Sequence, residues 1–197
     1  MTYPHRLLDD IDTVASFQGW SKEVYEDFFK LSEGDIDEDA FRKKHCRERA
    51  ILTIDMTGFT LSALQVGEIN SLTRIFDTQS AALPVLQDYG AYLIRCFADD
   101  IIALFRGPGE ASAHPTVCCA GIGFGRVFAI GPNLAQGDEM NRASKLGEDI
   151  ARGSETLITE NMYEAVAGRE DLVFERQDQA DILFPYYRVS EVHLSTN

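Results

Sequence analysis

The chain has 197 residues, enough for one domain with a substantial core and too few for two full ones. Its 32 acidic residues against 18 basic ones give a net charge of −14, which excludes a general nucleic-acid binder, because phosphate neutralisation needs clustered Lys and Arg. No apolar run approaches bilayer length and Met1 to Asp10 is too polar for a signal peptide, so no membrane association and a cytoplasmic location are expected.

The segment up to about Arg49 is acidic and helical in pattern. Ser21 would cap a helix whose Val24, Phe28 and Leu31 share one face. A strand follows over Ala50 to Asp55, broken by Met56, Thr57, Gly58, Phe59 and Thr60. The next pattern is a long helix with Ile69, Leu72 and Phe76 on one stripe, and Pro84 is expected to divide the region into two helices. A hairpin is predicted next: Ala91 to Phe97, a tip at Ala98-Asp99-Asp100, then Ile101 to Phe105. Gly107 to Pro115 is loop by composition, and two strands follow at Val117–Ile122 and Arg126–Ile130. A loop leads to a helix starting near Asp138. The remaining elements are a short strand at Leu157-Ile158, a helix near Asn161 to Ala167, and strands around Leu172–Phe174 and Tyr186–Val192. Hairpins mixed into the strand–helix alternation favour an α+β layer with a mixed sheet over a doubly wound one.

Several residues carry potential chemistry. Asp55 ends an apolar strand before a turn that opens a helix. A carboxylate there suits a divalent cation, and the N–H groups of Thr57 to Thr60 suit phosphate oxygens. An Asp in that place is also a common helix cap. Asp99 and Asp100 stand at a hairpin tip, where Asp is frequent for local reasons, but both flanking strands are apolar. An unneutralised acidic pair at the end of buried structure is disfavoured, and a metal shared with Asp55 would resolve it. Asn141 and Lys145 are four apart and share a helix face, either as a solvated surface or as groups meeting a partner. Gly121, Gly123 and Gly125 lack dinucleotide-loop spacing and suggest a bulge or tight turn between strands. The histidines are scattered. Cys46, Cys96, Cys118 and Cys119 lack zinc spacing, and the last three, in apolar runs, are expected as buried thiols.

In this order the segments AILTIDMTGFT, YLIRCFADDIIALF, and GDEMNRASKLGEDIA followed by GSETLITENMYEAV resemble the catalytic domain of class III adenylate and guanylate cyclases, from about Arg49 to Ala167. The resemblance implies a ferredoxin-like mixed or antiparallel sheet with helices over 49–197, preceded by a helical arm over 1–48. It implies a homodimer with composite sites, two divalent cations per site (Mg²⁺ or Mn²⁺), and a nucleoside triphosphate cyclised with loss of pyrophosphate. By position Asp55 and Asp99 match its metal-binding aspartates, and Asn141 its ribose-orienting asparagine. Lys145 stands where an arginine stabilises the transition state, keeping the charge without the planar fork. Asn141 and Lys145 are expected to find no partner in their own chain. Arg95 and Leu134 stand at the two base-reading positions.

The departures are informative. The family's late phosphate-binding Lys has no counterpart in Ala180 to Val192, and its helix between the hairpin and the next strand is missing. Arg95 only donates hydrogen bonds and Leu134 does neither, a pair that suits the O2 and O4 acceptors of uracil better than adenine or guanine. Within the family the chain resembles the stand-alone pyrimidine cyclases of bacterial Pycsar antiphage systems, which implies UTP as substrate, cyclic UMP as product and a separate cyclic-nucleotide effector protein. An adenylate cyclase acting on ATP and a catalytically degenerate nucleotide-binding module remain as alternatives.

Overall fold

A computed structural model of the chain describes residues 10–12, 21–56, 67–110, 118–130, 134–180 and 182–192. By its internal contacts the chain divides into two compact units, Met1–Arg47 with Val127–Gln136, and Glu48–Arg126 with Gly137–Asn197.

Among its described residues the first unit has the helices α1 (Lys22–Glu33) and α2 (Glu38–His45). Ser21 stands at the N-cap of α1 but makes no side-chain cap; its carbonyl accepts from the N–H groups of Val24 and Tyr25. Gly34 ends the helix in the left-handed conformation (φ 84°), which favours glycine. Asp37 caps α2 by accepting from the Ala40 N–H at 2.7 Å. The two helices meet around a buried carboxylate: Asp27 accepts from Lys44 Nζ at 2.6 Å and Lys30 Nζ at 3.3 Å, and His45 Nε2 lies 2.8 Å away. These donors, Lys44 above all, hold the Asp27 carboxyl down at about 2 against the opposing effect of burial. Phe41 packs against the Phe28, His45 and Phe128 rings, and Arg42 lies over Phe128.

The strands form one mixed sheet. They are β1 (Cys46–Asp55), β2 (Leu93–Phe97), β3 (Asp100–Phe105), β4 (Cys119–Ile130), β5 (Leu134–Gln136), β6 (Thr156–Thr159), β7 (Leu172–Gln177) and β8 (Tyr186–Val192). Seven run in the order β2-β3-β1-β4-β6-β8-β7, and β5 pairs with the end of β4. β4 and β6 are parallel; the β1–β3, β2–β3, β6–β8 and β7–β8 pairs are antiparallel. The α+β expectation with a mixed sheet holds.

In the second unit the period of the strands sorts residues onto two faces. Ala50, Leu52, Ile54, Ile101, Ala103, Phe105, Ala120 and Ile122 pack with Leu86 of α3 (Glu68–Asp88) and with Met162 and Val166 of α5 (Glu160–Val166). The opposite face carries Cys119 and Leu157, which pack with Leu146 and Ala151. Leu146 belongs to the helix that starts as α4 (Asp138–Ser144) and widens into a π turn over Lys145–Ile150, closed by the Ala151 N–H on the Leu146 carbonyl.

Four expectations change. Pro84 does not divide its region: α3 runs unbroken through it, and Pro84 and Ser80, the residue whose carbonyl loses its helical donor, are both exposed. Val117–Ile122 and Arg126–Ile130 are not two strands; β4 is continuous from Cys119. Gly121, Gly123 and Gly125 therefore mark no turn. They clear one face of a strand for a helix: a Cβ on Gly121 would lie 2.0 Å from the Ala143 carbonyl oxygen, and one on Gly147 would lie 2.8 Å from the Gly121 nitrogen and 2.9 Å from the Thr53 oxygen. Cys96 is exposed, since β2 is the sheet's edge, whereas Cys118 and Cys119 are buried as expected. Between β3 and β4 the described residues hold only a 3₁₀ turn at Pro108–Glu110. Among the described residues no helix is long and apolar enough to cross a membrane.

Candidate active site

The hairpin register assembles the site. In β2–β3, Arg95 pairs with Ile102 and Phe97 with Asp100; in β1–β3, Thr53 pairs with Ile102 and Ile54 with Ile101. One step further, Asp55 stands opposite Asp100. Cross-strand partners share a face, so Arg95, Ile102 and Thr53 form one row, and Phe97, Asp100 and Asp55 the next. This is the face that carries α4 and its π turn. Asp99 sits in the turn beside the second row, where Ala98 takes the left-handed conformation (φ 51°) and its carbonyl accepts from Gln79 Nε2 of α3 at 3.2 Å.

The carboxylates repel one another. Burial, then Asp100, then Asp99 push the Asp55 carboxyl up to about 6. Burial and Asp99 raise Asp100 as well. Glu148 of the π turn belongs to the same field: burial raises it first, then Asp100, against a hydrogen bond from Ser144 that lowers it. Among the described residues no Lys or Arg forms an ion pair with Asp55, Asp99, Asp100 or Glu148. Nor do three described His, Cys, Asp or Glu side chains converge on a single metal position. An oxygen-only donor set with uncompensated negative charge fits a hard divalent cation such as Mg²⁺ or Mn²⁺, which completes its shell with water and substrate phosphate.

The other expected residues distribute as follows. Arg95 lies on the same sheet face as the carboxylates and is exposed. Asn141, on α4, and Lys145, opening the π turn, are also exposed. Lys145 does have a partner in its own chain: its Nζ donates to Asp149 at 2.6 Å, since Asp149 follows it by one helical turn. Leu134 falls in β5, within the other compact unit, and its side chain lies outside the described residues. Thr57, Gly58, Phe59 and Thr60 lie outside them too.

Two residues were not singled out from the sequence. Glu148 follows Asn141 and Lys145 at helical spacing, a signal available in the sequence. Glu139 is buried in the first turn of α4. Its carboxylate accepts from the Phe124 N–H at 3.1 Å, from Asn161 Nδ2 at 3.0 Å and from the Thr159 hydroxyl.

No family model matches the sequence, and no curated protein matches it. Solved structures do. A dimeric guanylyl cyclase domain of the RhoGC fusion protein from the aquatic fungus Blastocladiella emersonii superposes with a TM-score of 0.61 at 14% identity, over 76% of this chain and 99% of that one. The adenylyl cyclase CyaB from P. aeruginosa gives 0.60 at 15% identity, over 76% and 98%. An adenylate/guanylate cyclase/hydrolase from Silicibacter pomeroyi gives 0.57 at 18% identity, over 73% and 96%. At such identities the likeness is one of fold, and the chain has the fold of the class III nucleotidyl cyclase domains.

Proposed function

We propose that the chain is a nucleotidyl cyclase, closing a nucleoside triphosphate into a 3′,5′-cyclic monophosphate with release of pyrophosphate. The observation that carries this reading is the uncompensated group of Asp55, Asp99 and Asp100 at one end of a sheet face, on a fold shared with cyclase domains. Asp55 and Asp99 would hold divalent cations, which when bound supply Lewis acidity toward the ribose 3′-hydroxyl and the phosphates. The 3′-oxygen forms a bond to the α-phosphorus, the bond from that phosphorus to the bridging oxygen of the pyrophosphate breaks, and the hydroxyl proton leaves to solvent. Asn141 orients the ribose, and Lys145 offsets charge developing on the phosphates once freed from Asp149. In a homodimer one subunit would present Asp55 and Asp99 and the other Asn141 and Lys145, so that both exposed residues gain a site to act on.

For the base, the reading is UTP. Arg95 lies on the carboxylate face, is exposed, and offers only donors, which match uracil O2 and O4. The product would be cyclic UMP, a second messenger read by a separate effector protein in antiphage defence. ATP is the second reading, and a nucleotide-binding module without turnover the third; the Lys145–Asp149 pair favours the latter. The test is incubation with ATP, GTP, CTP and UTP separately, with Mn²⁺ or Mg²⁺, and mass spectrometry of the products. Cyclic UMP as the main product is expected. Cyclic AMP as the main product refutes the role given to Arg95, and no cyclic product from a folded dimer refutes the enzyme.

A further inference from the structure

We propose that Glu139 is a positioning residue, the group that fixes where α4 places Asn141 and Lys145; the inference rests on the cyclase reading above. α4 is only seven residues long, and Gly137 at its N-cap supplies no side-chain cap. Its first turn is anchored through Glu139 instead. This carboxylate is 4% exposed and gathers donors from three elements: the Phe124 N–H in β4, the Thr159 hydroxyl at the end of β6, and Asn161 Nδ2 in α5. Arg142 Nη1, one turn along α4, stands 3.9 Å from the second carboxylate oxygen.

The arrangement is specific to a carboxylate. One oxygen accepts from the Phe124 N–H and the other faces the Arg142 guanidinium at 3.9 Å, and neither of these groups can accept, so both oxygens must be acceptors. A glutamine would turn an NH₂ toward one of these donors. A burial this complete is tolerated because the charge is so fully hydrogen-bonded. The sheet is shaped to admit it: a Cβ on Gly123 would lie 3.0 Å from Glu139 Oε1, and one on Gly125 would lie 3.2 Å from its Cγ. Two of the three alternating glycines of β4 thus face the Glu139 side chain and the third faces the helix backbone at Ala143. Asn141 lies two residues beyond the anchor, with its N–H bonded to the Gly137 carbonyl at 3.0 Å. Release of Glu139 would let the turn carrying Asn141 shift while leaving Asp55, Asp99 and Asp100 on their own strands.

The experiment is a Glu139→Gln variant, assayed for cyclic nucleotide formation and then mixed with Asp55→Ala and Asn141→Ala proteins. A fall in kcat of roughly 10–100-fold with KM little changed is expected, since a small misplacement of a positioned group costs about that much. In mixed dimers, Glu139→Gln should recover activity with Asp55→Ala and not with Asn141→Ala, because it damages the same half-site as the latter. A merely structural role would damage both half-sites and recover with neither. That outcome overturns the proposal if the Asp55→Ala and Asn141→Ala pair itself recovers, as does an unchanged kcat. If Glu139→Gln fails to fold, Asn161→Ala, which removes one donor, is put through the same mixing with the same two outcomes. A folded wild type that makes no cyclic nucleotide overturns the cyclase reading first and this inference with it.

Discussion

Replacing Gly121 with alanine tests the packing that carries the proposed active-site helix. The new Cβ would lie 2.0 Å from the Ala143 carbonyl oxygen, 2.5 Å from the Gly147 nitrogen and 3.0 Å from the Ala143 carbonyl carbon. All three are backbone atoms, so no rotamer change relieves the clash. The helix has to lift from β4 by more than an ångström. Overpacking of a core ordinarily costs about 1–3 kcal/mol, and a lifted helix also forfeits a quarter to a half of the dispersion attraction along its contact. A loss of about 3 kcal/mol or more is expected, against a total stability of about 5–15 kcal/mol. In a chain of this size that is a Tm drop of roughly 6–12 °C. Urea unfolding measures it directly, with Gly109→Ala as the control, because a Cβ there meets nothing within 4 Å. That control should be neutral or gain up to about 1 kcal/mol through the unfolded chain. If Gly121→Ala unfolds within about 0.5 kcal/mol of wild type, the helix does not rest on β4 as described.

Other predictions concern charge and the site. The Asp55 carboxyl, raised from 3.8 to about 6, holds its proton more tightly in the folded chain than in the unfolded one. Its stabilising contribution is complete below the ordinary value and is lost as pH rises through about 6. In metal-free buffer Asp55→Asn should therefore raise Tm near neutral pH and do little below pH 3.8; an equal shift at both refutes the repulsion. Asp27 has the opposite sign: its carboxyl is lowered to about 2, so its contribution is present above 3.8 and lost as pH falls through about 2. Asp27→Asn should lower Tm at neutral pH and converge on wild type in strong acid, read by thermal melts across that range. Asp55→Ala and Asn141→Ala proteins, each inactive alone, should regain up to about a quarter of wild-type activity when mixed, if random assortment makes half the dimers mixed with one intact site of two; no recovery from confirmed mixed dimers refutes a composite site. Arg95→Ala should flatten the preference among triphosphates while leaving the metal dependence of turnover unchanged, measured by competition between UTP and ATP.

What was legible in the sequence was local. Asp55 and Asp99 stand out because a strand that ends in Asp and a hairpin with Asp at its tip are both short-range patterns, and the sheet register then sets Asp100 beside Asp55. Strand pairing itself is not local. The parallel β4–β6 pair joins residues 36 apart in sequence, such as Ala120 and Thr156, and no short-range pattern marks it. Glu139 was illegible for the same reason: Phe124, Thr159 and Asn161 lie 15 to 22 residues away, on three elements. Pro84 and the β4 glycines misled because the rules for them assume an interior helix carbonyl and an otherwise featureless strand. Here Ser80 and Pro84 are exposed and the strand faces a helix backbone.

The widened turn at Lys145–Ile150 bears on which changes of chain length the protein tolerates. A π turn is equivalent to one residue inserted into an α-helix. Removing one residue between Lys145 and Ile150 would let this stretch close as regular α-helix with the parts on either side kept nearly in phase, because the wider π pitch already absorbs one extra residue. Adding one residue has no such outlet and turns the parts on either side by about 100° relative to each other. Gly147, pressed against Gly121 and Thr53, pins the register from the sheet side. The rotation would then fall on the stretch holding Asn141 and Lys145, or on Glu148. Among randomly generated variants, one-residue insertions should therefore be depleted here, while one-residue deletions that spare Gly147 survive more often.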